Sequence, residues 1–159
     1  MRTIITGLAV VLALLATPSG ANVLGEADVR GFDDFSEKAN RLIRDVADTT
    51  TSGPISGCVL NISNSLYVIR THIAAVRVLA DLEAKMVSPM DDMLVIESLR
   101  FQVKTFLRAL AINRTVVNGM GFLCPYSPSG AAAVKAQEVL RLFDQAASLV
   151  GSISKKVGQ

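Results

Sequence analysis

From Asp28 to Thr49 the apolar residues fall on one helical stripe. Phe35, Ala39, Leu42 and Val46 follow at steps of four, three and four, with Phe32 and Ile43 beside them. Such steps return side chains to the same side of a helix, and Glu37, Lys38, Arg41, Arg44, Asp45 and Asp48 fall on the other. The pattern breaks at Thr50-Thr51-Ser52-Gly53-Pro54, where Gly and Pro disfavour helix and the hydroxyl residues suit turns. A second helix is predicted over residues 55–87. Its stripe, Ile55, Val59, Ile62, Leu66, Ile69, Ile73, Val76 and Ala80, alternates four and three without a miss. That is the period of helices crossing at about 20°, as in bundles and coiled coils.

Ser88-Pro89 starts a third helix, with Ser88 as N-cap, Pro89 at the first helical position, and Asp91 and Asp92 near the positive end of the helix dipole. Val95, Leu99, Val103, Phe106 and Leu110 face inward. Asn118-Gly119 is read as its stop, because Gly accepts the left-handed conformation that closes a helix. A loop through Cys124, Pro125 and Pro128 leads to Ser129, the cap of a last helix over 130–156. There Val139/Leu142/Ala146/Leu149/Ile153 and Leu140/Phe143/Ala147/Val150 form one wide apolar face. Helices joined by short connections become antiparallel neighbours, so residues 22–159 are expected to form an all-α, up-down-up-down four-helix bundle.

Residues 1–21 have the order of a secretory signal peptide: one cation at Arg2, an apolar run from Ile4 to Ala16, then Thr17-Pro18-Ser19-Gly20-Ala21. The run would span about 20 Å as a helix against a hydrocarbon core of ~30 Å, too short for a comfortable anchor. With small residues at Ser19 and Ala21, cleavage is expected between Ala21 and Asn22. The mature protein is then secreted or periplasmic, with no transmembrane segment. In an oxidising compartment an even pair of cysteines reads as a bridge. Up-down-up-down topology brings Cys58, near the start of the second helix, to the same end as Cys124. A disulfide between them would stabilise the fold by roughly 4 kcal/mol in the chain-entropy model. In outline the exported bundle resembles the plant inhibitors of pectin-modifying enzymes, which carry more cysteines; no motif of theirs occurs here.

Composition narrows the chemistry. Lys and Arg number 16 against 14 Asp and Glu, a net of +2 that falls by one when Arg2 leaves, and Trp is absent. So small a charge without interleaved aromatic residues argues against nucleic acid. His72 is the sole histidine. With Met86, Met90 or Met93 it would be a minimal haem-ligand set, but there is no C-x-x-C-H motif, and one His without a Glu-x-x-His pair leaves too few ligands for a metal. No G-x-S-x-G turn presents a serine nucleophile, and Gly119-Met120-Gly121-Phe122 lacks the strand and lysine of a phosphate loop. No catalytic, cofactor or metal residue is assigned, and the chain is expected not to be an enzyme.

Two features point to binding instead. Arg100, Lys104 and Arg108 make a basic row on the third helix, and residues 49–69 carry no charge at all. Asn61 and Ser65 in that stretch, with the basic row, are the candidate surface for a protein partner, a second copy or an apolar ligand, and the row by itself could meet phosphate, acidic sugar or lipid headgroups. Asn61-Ile62-Ser63 and Asn113-Arg114-Thr115 match the N-glycosylation pattern, with Asn113 doubling as a polar seam residue that fixes register. The expected function is an exported, non-enzymatic binding protein. Its rivals are a carrier holding a lipid or other apolar ligand in the bundle interior, and a haem- or metal-binding bundle.

Overall fold

The computed structural model describes residues 23–49, 55–123 and 131–158. Nearly all of them are helical: α1 (Glu26–Thr49), α2 (Ile55–Glu83), α3 (Pro89–Leu123) and α4 (Ala131–Lys156), with no strand among the described residues. The leader 1–21, its cleavage point, the 50–54 connection and the loop holding Cys124 lie outside the described residues.

Helix α2 packs on all three others and so does α4, whereas α1 and α3 do not touch. The cross-section is therefore a four-cornered bundle with α2 and α4 on its short diagonal. Pairs between helices fix the directions. Arg77 late in α2 pairs with Asp33 early in α1, Arg114 late in α3 with Asp144 in the middle of α4, and Ser152 and Lys156 at the end of α4 with Asp28 at the start of α1. Each neighbouring pair is thus antiparallel. One end of the bundle holds the start of α1, the turn between α2 and α3, and the end of α4.

The core is the stripe the spacing identifies. Ile62, Leu66, Ile69, Val76 and Ala80 of α2 have no exposed surface, and Phe32, Phe35, Phe106 and Phe143 close the space between helices. At roughly 25 cal/mol per Å² of apolar surface removed from water, each such side chain contributes about 2 kcal/mol before entropy is counted.

Two boundaries differ from expectation. Helix α2 ends at Glu83 rather than 87, because Lys85 and Met86 donate to the carbonyls three residues back, at Leu82 and Glu83, which tightens the last turn out of α geometry. Ser88 is the N-cap of α3 as expected, its carbonyl accepting from Asp92 N–H at 3.0 Å. Asn118-Gly119 is not a stop: α3 runs through both to Leu123. Gly119 has no left-handed φ, and Val117, fully buried, with Met120 packed on the core, carries the inward stripe past it. Burying those two outweighs the roughly 1 kcal/mol that a mid-helix glycine forfeits.

Candidate functional site

The helices divide into two kinds. Along α1 the outer face is charged, with Asp33, Asp34, Glu37, Lys38, Arg41 and Arg44 all exposed. On α2 and α3 large apolar side chains are exposed as well. Leu60, Tyr67 and Val78 of α2 are 52%, 55% and 63% exposed, at spacings of seven and eleven. Leu94, Phe101 and Ile112 of α3 repeat the same spacings at 59%, 70% and 64%. Both spacings return to one line on a helix, so each helix carries a second apolar stripe opposite its buried one. Helices α2 and α3 are the most extensively packed pair, so the two stripes lie on adjacent helices. With Leu82 these side chains expose roughly 800 Å², about what one partner contributes to a standard protein interface.

The expected surface residues are unevenly exposed. Asn61 is exposed on α2 and Lys104 and Arg108 are exposed on α3. Ser65 is not surface at all: it is 4% exposed, turned inward between the core positions Ile62 and Leu66. Arg100 does not extend the basic row. It pairs with Glu97 and donates to the Val157 carbonyl at 2.8 Å, which ties the start of α3 to the end of α4. Asn113 is half-buried, but its amide donates to Ala109 of its own helix at 2.8 Å, so it does not bond across the seam to set register. The leucine, tyrosine and phenylalanine of the second stripes are what sequence reasoning missed. The signal was there, at spacings of seven and eleven, hidden behind the stronger inward stripe.

A polar cluster occupies the end where the described chain begins. Asp28 sits three residues into the start of α1 and its carboxylate reaches back to Gly25 N–H at 2.9 Å, closing the first turn. It also accepts from Lys156 Nζ at 2.6 Å and Ser152 Oγ at 3.0 Å. Burial pushes the Asp28 carboxyl up, but Lys156, the Gly25 N–H and Ser152 together outweigh it and hold the group below the usual aspartate value. Lys156 also donates to the Val23 carbonyl at 2.9 Å, and Val23 N–H donates to the buried Glu83 carboxylate at 3.2 Å.

His72 is half-buried in the α2–α3 groove, its Nδ1 hydrogen-bonded to Gln102 Nε2 at 3.1 Å. Met86 lies fourteen residues on, roughly 20 Å at helical rise, while Met90 and Met93 are exposed at the start of α3. His72 and these methionines therefore do not converge on one iron. No group of three or more His, Cys, Asp or Glu side chains among the described residues is placed to hold a metal. Two open surface clefts are present. One of about 470 Å³ lies beside Leu24, Glu26, Val29 and Arg30, and one of about 290 Å³ lies between α1 and α4 with Lys38, Arg41, Asp45 and Lys135 at its edges. Neither is an enclosed apolar chamber. Cys58 is half-buried near the start of α2, at the end where α3 finishes and α4 begins. No helix among the described residues is long and apolar enough to cross a membrane. No protein-family model, no curated protein and no solved structure matches this chain.

Proposed function

We propose that this chain is an exported, non-enzymatic binding protein, and that its binding surface is the outer wall of α2 and α3, covered by the same wall of a second copy. The leader 1–21 directs it to the periplasm or the extracellular space. A Cys58–Cys124 bridge ties the opposite end, a pairing supported by the absence of any free cysteine among the described residues.

The observation that carries the reading is the repeated exposure of Leu60/Tyr67/Val78 and Leu94/Phe101/Ile112. A single exposed leucine needs no explanation, but about 800 Å² of apolar side chain aligned on two adjacent helices does. The charges favour a second copy as occupant. Along the outer face of α3 the acids come first, Asp91 and Glu97, and the bases follow, Lys104 and Arg108. Two α3 helices laid antiparallel about a two-fold axis near Phe101 place Glu97 of each copy opposite Lys104 of the other. A self-complementary surface of this kind is what an isologous dimer requires.

Sedimentation of the mature chain at several concentrations tests this. A dimer is expected, with Phe101→Glu monomeric yet equally helical by circular dichroism. Glu97→Lys and Lys104→Glu should each weaken association, and the double exchange should restore it. A wild-type protein that stays monomeric at high micromolar concentration overturns the proposal, and so does a monomer that carries a lipid or other apolar ligand on this face.

A further inference from the structure

Methionine ordinarily fills irregular gaps in a core, because its arm has three rotatable bonds and no polar group to satisfy. Met120 does this, packed against the core from α3. Three of the chain's five methionines do not: Met86, Met90 and Met93 stand within eight residues at the turn from α2 into α3. Met90 and Met93 are 68% and 59% exposed, and Met86 is half-buried outside the core cluster. The Ser88 carbonyl accepts from Asp92 N–H at 3.0 Å, so helical geometry runs from Ser88 onward. Met90 and Met93 are then three apart on one side of α3, where Cβ atoms lie about 5–6 Å from each other. Helical side chains lean toward the N-terminus, which brings Met93 over Met90 and Met90 over the turn that holds Met86. So placed, these side chains have little packing to do, and what remains is the thioether itself, a soft and uncharged donor.

The surroundings select among metals. No group of three or more His, Cys, Asp or Glu among the described residues is placed to hold an ion. The one imidazole, His72, is bonded to Gln102, roughly 13–14 Å along α3 from Met93. Zn(II) and Cu(II), which favour imidazole, thiolate or carboxylate, find no set of ligands here, whereas thioether sulfur suits Cu(I). Asp91 and Asp92 fall between the two exposed methionines, and neither enters an ion pair among the described residues. Their charge more than offsets the positive end of the α3 dipole and favours a monovalent cation. We propose that Met90 and Met93, completed by Met86, form a thioether site for Cu(I) at the α2–α3 end of the bundle. Each sulfur donates a lone pair, no proton leaves, and the copper keeps its oxidation state. The site does not depend on association of two copies.

Cu(I), held reduced by ascorbate under nitrogen, is titrated into the full chain against bicinchoninate. One ion per chain is expected. Met90→Leu and Met93→Leu keep the apolar area and remove the sulfur, and each should weaken binding by no less than the roughly 10–100-fold that outer-shell changes cost a metal site. Zn(II) should not displace the ion. With methyl-labelled methionine, the resonances of Met86, Met90 and Met93 should shift when Cu(I) is added, while that of Met120 stays. This shift is read on the unaltered chain, so it stands whether or not the variants fold. Binding that survives the Met90→Leu/Met93→Leu double change overturns the site and leaves these residues as an apolar tip. Displacement by Zn(II), or a spectrum in which the three signals do not move, overturns it as well.

Discussion

Replacing Asp28 by Asn should cost about 2–3 kcal/mol at pH 7. Asp28 accepts three hydrogen bonds, from Lys156 Nζ at 2.6 Å, Gly25 N–H at 2.9 Å and Ser152 Oγ at 3.0 Å, while its side chain is 13% exposed. Charge-assisted bonds contribute roughly 1.5–3 kcal/mol each when buried. Lys156 is 38% exposed, so water screens that pair and places it at the low end of the range. The carboxylate also faces the α1 N-terminus, where negative charge is favoured by about 0.3–1 kcal/mol. An amide keeps one acceptor but loses the charge, and turns an N–H toward donors. Because the folded carboxyl titrates below its ordinary value, its contribution is complete above about pH 4 and is lost as pH falls through the lowered value. Urea unfolding of wild type and Asp28→Asn, followed by circular dichroism at pH 7 and pH 2.5, measures this. The gap between them should be widest at pH 7 and close toward acid. A gap under about 0.5 kcal/mol at pH 7, or one that pH leaves unchanged, would falsify the argument that this carboxylate fastens α1 to α4.

Other expectations follow from single positions. Leu66→Ala, emptying a site with no exposed surface, should cost about 3 kcal/mol by denaturant titration without changing helix content. Gly119→Ala should stabilise by roughly 0.5–1 kcal/mol, since nothing lies within 4 Å of the added methyl and the backbone is helical; a loss would mean that the chain does turn there. At Gly31 an added Cβ would meet Leu149 Cδ2 at 2.5 Å, so Gly31→Ala should lower the unfolding midpoint, by about 1 kcal/mol once Leu149 shifts. Reducing the mature protein should lower its stability by roughly 4 kcal/mol, and thiol titration of denatured, unreduced protein should find no free thiol. Two free thiols would remove the Cys58–Cys124 bridge.

The inward stripes of α1 and α2 were legible because burial needs only that apolar groups recur with the helix period, and the sequence states that period directly. Phe35, Ala39, Leu42 and Ile62 through Ala80 lie where their spacing puts them. The end of α3 was misread for a local reason. Gly119 is a turn signal judged alone, and only the core packing of Val117 and Met120 shows that the helix gains more by continuing. Ser65 was misplaced in a similar way, because small polar residues on α2 carry no sign of which side they face once both sides are apolar.

What the sequence determined by itself was the number of helices, the inward face of each and the all-α architecture, since hydrophobic periodicity is a property of the chain before it folds. Only the tertiary structure decided which residues of distant segments meet: that Lys156 and Ser152 close on Asp28, that Glu83 is buried under Val23, and that Leu60, Tyr67, Phe101 and Ile112 are left without cover. The physical reason is that a helix's period fixes where its side chains point, whereas charge pairing and solvent exposure depend on what the neighbouring helices place opposite them.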